Sequence, residues 1–83
     1  MTIQVHNLSH NTNDSDLRKL FATYGVVNSA EVTRDRNNGR SKGNAVINMP
    51  IDQEALQAIA SLNQTIMDGR KISVSELQLP PKW

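Results

Sequence analysis

Apolar and polar positions alternate one for one at the start of the chain. Ile3 and Val5 fall on one side and Gln4 and His6 on the other, which predicts a half-buried strand ending near Leu8. The polar run "SHNTND" breaks it, and Asn13 followed three residues later by Asp16 is an N-cap signal, because both side chains can accept from backbone N–H groups left free at a helix start. Leu17, Leu20, Phe21 and Tyr24 then recur at helical spacing, and Gly25 is suited to the left-handed turn past a C-terminus, so a helix is expected over about 14–24. Val27, Ala30 and Val32 read as inward positions of a second strand, with a bend or bulge in the three-residue step between the first two; Ser29, Glu31 and Thr33 face the other way. "DRNNGRS" is a loop by composition, and its Asn38-Gly39 pair predicts a tight hairpin turn. In the third strand Ala45, Ile47 and Met49 alternate with Asn44, Val46 and Asn48, until Pro50, which has no N–H to donate, ends the ladder.

A second helix starts at Pro50 or Asp52. Its apolar stripe is Ile51, Ala55, Leu56, Ile59 and Leu62, and Asn63 ends it. Asp68-Gly69 turns the chain into "RKISVSEL", a last strand with Ile72 and Val74 inward and Lys71, Ser73 and Ser75 outward. The order strand, helix, strand, strand, helix, strand predicts an α+β domain of the ferredoxin-like βαββαβ type, two helices on one face of a four-stranded antiparallel sheet. The domain is expected over residues 1–77, with a tail over 78–83. The uncovered face is the broadest surface such a chain offers a partner.

With 83 residues the chain can bury one modest core, so a deep enclosed active site is not expected. There is no cysteine, which excludes disulfides, thiolate metal sites and thiol nucleophiles and suits a reducing compartment. No charged leader or long apolar run is present, so the expectation is a soluble cytoplasmic protein with no membrane contact. The triplets Asn7-Leu8-Ser9 and Asn63-Gln64-Thr65 match the N-glycosylation pattern, but without a secretion signal they read as chance. Net charge is only +1. It is unevenly spread: Arg34, Arg36, Arg40 and Lys42 against Asp35 give +3 over 34–42 and leave −2 elsewhere.

"IQVHNL" and "KGNAVINM" resemble, in content and position, the hexamer and octamer signatures of the RNA recognition motif family, and the similarity extends to "DLRKLFATYG", "DRNNGRSKG" and "LNQTIMDGRKISV". Lys42, Gly43, Ala45 and Ile47 match the octamer pattern. The resemblance implies the fold already expected, and binding of single-stranded RNA on the open sheet. The family's stacking rings are absent, however: Gln4, Asn44 and Val46 stand at those three positions. Stacking contributes roughly 1–3 kcal/mol per base, so two or three missing rings correspond to two or more decades of affinity. Binding is therefore expected to be weak, or to rest on hydrogen bonds and the basic hairpin.

Candidate RNA-binding residues are Gln4, His6, Arg36, Arg40, Lys42, Asn44, Val46, Lys71 and Ser73. His6 is either a ring that stacks on a base or donates a hydrogen bond to a phosphate, or a solvated histidine; Gln4, Asn44 and Asn48 either read base edges or merely solubilise the sheet. Arg36, Arg40 and Lys42, on a hairpin beside the open face, can follow a phosphate backbone and release its counterions. Phe21 and Tyr24 belong to the core by their helical spacing. Trp83, behind Pro80-Pro81, either folds over the sheet or is a frayed end.

Catalysis is not expected. His6 and His10 sit on a strand end and a loop with no third ligand, no phosphate-cradling glycine loop or paired carboxylates occur, and Ser9, Ser15 and Ser41 have no base partner. No cofactor, metal or small-molecule substrate is expected. The alternative functional class is a protein-interaction module, self-association included, using the ring-poor sheet or the helices.

Overall fold

The computed structural model describes residues 1–77; the tail, with the two readings of Trp83, lies outside them. The elements are β1 (Thr2–His6), α1 (Asp14–Ala22), β2 (Ser29–Arg34), β3 (Ser41–Asn48), α2 (Asp52–Leu62), β4 (Ile66–Met67), β5 (Arg70–Lys71) and β6 (Ser73–Glu76). Four strands form one antiparallel sheet in the order β2-β3-β1-β6, and β4 and β5 pair as a separate small hairpin. One face of the large sheet is buried: Ile3, Val5, Val32, Ala45, Ile47 and Val74 pack with Leu17 and Phe21 of α1 and Ala55, Ala58 and Leu62 of α2 in a single core. This is the ferredoxin-like α+β arrangement that the alternation predicts.

Long-range polar contacts fix how the helices and sheet edges meet. Asn13 caps α1, its Oδ1 accepting from the Asp16 N–H at 2.9 Å while the Asp16 carboxylate accepts from the Asn13 N–H at 3.2 Å, as a capping box requires. In the next position Asp14 accepts the Val32 N–H at 2.8 Å, occupying a donor on the outer edge of β2. On the opposite edge, the Asn63 side chain, at the end of α2, accepts the Val74 N–H at 2.9 Å. Both edges of the sheet are thus blocked by a side-chain oxygen from the helix layer, a device against strand-to-strand aggregation. The asparagines of both glycosylation triplets have structural partners: Asn63 on Val74, and Asn7, whose Nδ2 donates to the Lys71 carbonyl at 2.8 Å.

Several expectations need correction. Helix α1 ends at Ala22, and its cap Thr23 is still right-handed, so Gly25 is not a left-handed helix stop. Its missing side chain instead makes room for Glu54, which any Cβ there would strike and which accepts the Val26 N–H at 2.9 Å. In α2 the buried residues are Ala55, Ala58 and Leu62 with Ile59 packed beside them, whereas Leu56 and Ile51 are exposed. Ile51 precedes the helix, and Leu56 lies about 100° round from Ala55, off the seam. The step from Val27 to Ala30 does hold a bend, at Asn28 just before β2, and a second irregularity, a register shift against β3, falls between Val32 and Arg34. Asn38-Gly39 does not make a two-residue turn, since only Gly39 has positive φ; the loop closes through Asp35, whose N–H donates to the Arg40 carbonyl and whose carbonyl accepts from the Gly39 N–H. Asp68-Gly69 does, with φ of 51° and 79° as a type I′ turn demands. That turn joins β4 to β5, so Lys71 belongs to the small hairpin and not to the last strand of the sheet.

Candidate nucleic-acid interface

Strand registers align the outward side chains into rows across the open face. One row runs Glu31, Val46, Gln4, Ser75, and the next holds Asn44, His6, Ser73. Five of the nine residues singled out from the sequence, Gln4, His6, Asn44, Val46 and Ser73, therefore lie in two adjacent rows. Gln4 is oriented along its row, Nε2 donating to the Ser75 Oγ at 3.2 Å, and among the described residues its Oε1 and second N–H have no partner. Val46 is the exposed aliphatic residue of this surface. Asn44 is half-buried, and among the described residues its Oδ1 has no hydrogen-bond partner. Phe21 is fully buried and Tyr24 packs against the core, so among the described residues His6 supplies the one ring on the face.

The remaining candidates are cations, and the topology gathers them at one end of the sheet. Because β1 runs antiparallel to both neighbours, His6 lies beside Asn44 near the start of β3 and beside Ser73 at the start of β6; Arg34 pairs with Ser41 at that same end. The β2–β3 loop with Arg36 and Arg40, the first residues of β3 with Lys42, and the β4–β5 hairpin with Lys71 consequently flank one end of the face. The loop backbone is pinned, with Asp35 Oδ1 accepting from the Asn37 N–H at 2.7 Å and Asn38 Oδ1 from the Arg40 N–H at 2.9 Å. Arg36, Arg40, Lys42 and Lys71 are all exposed. Among the described residues the one ion pair is between the N-terminal amine and Asp52, 3.5 Å apart, at the other end of the molecule. No described carboxylate pairs with the cations at the loop end.

Arg70, absent from the sequence-based set, belongs to the same group. Its Nη2 donates to the Asn7 Oδ1 at 2.7 Å, and Asn7, at φ 66°, is held where asparagine tolerates left-handed backbone. Asn7 thereby ties the β4–β5 hairpin to the end of β1. The available signal was the Asp68-Gly69 turn, which puts Arg70 next to Lys71; its link to Asn7 spans 63 residues and is invisible locally.

The RNA recognition motif model matches residues 3–73. The chain is 42% identical over 73 residues to glycine-rich RNA-binding protein 1 of Mycosarcoma maydis, a match that covers 88% of this chain and 42% of that protein, so the chain spans less than half of that relative. Among solved structures, the crystal structure of RNA-binding protein PG1 has a TM-score of 0.93 at 38% identity, covering 99% of both chains. The Sex-lethal protein/RNA complex has a TM-score of 0.91 at 25% identity, covering 98% of this chain and 48% of that one. With nearly all of its strands and helices inside the matched span, the chain belongs to the RNA recognition motif family.

Proposed function

We propose that this domain is a non-catalytic module that binds single-stranded RNA, with the backbone held by the cationic end of the sheet and bases laid over Gln4, His6, Asn44, Val46 and Ser73. The observation that carries this reading is the coincidence, at one end of a polar face that no other described element covers, of exposed cations from two hairpins with no ion pair among the described residues. RNA-binding relatives and an RNA complex of the same fold support it. The proposed binding is weak and strongly salt-dependent, since phosphate contacts replace the stacking that Gln4, Asn44 and Val46 do not supply. A cytoplasmic setting is part of the proposal, and the cysteine-free composition fits it.

Following backbone amide shifts while adding short mixed-sequence RNA tests the reading. Amides of Gln4, His6, Arg40, Lys42, Asn44, Val46 and Ser73 should move together, and three to five phosphate contacts should give a log–log salt slope of roughly −2 to −4. Replacing Arg36, Arg40 and Lys42 together by alanine should flatten that slope by about 2. Absence of coherent movement at millimolar RNA would remove the proposal.

A further inference from the structure

One feature of the face runs against polyanion binding. Glu31 is exposed on the open surface, in register with Val46, and among the described residues its carboxylate has neither a hydrogen bond nor an ion pair. A free negative charge beside a phosphate chain is unfavourable unless it meets donors on the bases. The surroundings of Glu31 form a cleft of about 420 Å³ between the β2 side of the sheet and the first turn of α1, lined by Asp14, Glu31, Val32, Thr33, Arg34 and Val46. It is a half-open surface cleft and not an enclosed cavity.

The chemistry of the cleft is asymmetric. Its other carboxylate, Asp14, already accepts the Val32 N–H at 2.8 Å, so Glu31 supplies the free one. Val46 offers an apolar surface against which a base can lie flat, and Arg34 offers positive charge at the same rim. An ionised carboxylate only accepts, through two oxygens, and is best matched by two adjacent parallel donors. Of the four RNA bases only guanine presents that pair, N1–H beside the N2 amino group. Uracil sets its N3–H between two carbonyls, and cytosine and adenine each set an amino group beside an acceptor nitrogen.

We infer that this cleft is a guanine subsite, in which Glu31 accepts from N1–H and the N2 amino group, Val46 lies under the ring and Arg34 faces the neighbouring phosphate. The inference rests on the RNA-binding reading and adds a base preference to it. Metal occupancy is a poorer fit, because the described residues contain no group of three or more ligating side chains.

Fluorescence anisotropy with labelled eight-nucleotide oligouridines carrying one central guanine, inosine or adenine separates the possibilities. The guanine oligomer should bind about tenfold more tightly than the adenine one, with inosine, which lacks the N2 amino group, between them. Glu31→Gln should reduce the guanine preference to less than about twofold while leaving the adenine oligomer bound as well or better, because a repelling charge is gone. Its amide spectrum serves as the control for folding. Equal affinities for the three oligomers in the wild-type protein, or a Glu31→Gln variant that tightens all three alike and keeps the preference, would overturn the guanine subsite while leaving RNA binding intact. Failure of every oligomer to bind would overturn both.

Discussion

At the scale of single residues, the face combines the geometry of a base-stacking platform with non-aromatic side chains at its central positions. Gln4, Asn44 and Val46 occupy its central rows, and their β-sheet register puts them side by side. Their substitution chemistry gives a direct prediction: Asn44→Phe with Val46→Phe should tighten binding of oligouridine by at least about tenfold, since each ring adds roughly 1–3 kcal/mol of stacking. Anisotropy titration at fixed salt reads the gain; an unchanged affinity would place the RNA path elsewhere. The loss of rings was legible in the sequence, because strand alternation alone says which side chains leave the sheet. The orphan Oδ1 of Asn44 was not, since it depends on which donors the neighbouring strands fail to bring.

At the scale of elements, short polar side chains decide where the pieces stop and how they lock. Asn13 was readable as a cap because its partner Asp16 is three residues away, and Asn13→Ala should cost about 1 kcal/mol in urea unfolding through loss of the capping box. Asn63 was readable only as the end of α2, yet its Oδ1 also accepts the Val74 N–H. Asn63→Ala should therefore cost more than a helix-end substitution, about 1–3 kcal/mol, with faster exchange of the Val74 amide as the local sign. The apolar stripe of α2 misled at Leu56 for a geometric reason. Hydrophobicity marks which residues prefer burial, while the position of the helix over the sheet selects the Ala55, Ala58, Ile59, Leu62 seam.

At the scale of the whole molecule, one small core supports the fold, and the net stability expected for a domain this size is only roughly 4–12 kcal/mol. Phe21 is its largest fully buried side chain. Phe21→Ala should remove about 3–5 kcal/mol, which at the lower end of that range of stabilities leaves a substantial unfolded population, read by thermal or urea unfolding. The same small scale makes the surface informative: the loop of β2–β3 and the hairpin of β4–β5, far apart in sequence, arrive at one end of the face because β1 runs antiparallel between β3 and β6. By itself, the sequence determined the alternation of faces, the order of elements, the absence of stacking rings and the local positive charge over 34–42, since each of these depends on neighbours within a few positions. Only the tertiary structure decided that Arg70 joins the cationic end through Asn7, that Asp14 and Asn63 close the sheet edges, and that Glu31 stands in a cleft beside Val46 with no partner among the described residues. These depend on helix-to-sheet and strand-to-strand docking between distant segments, and no local pattern of polar and apolar residues encodes it.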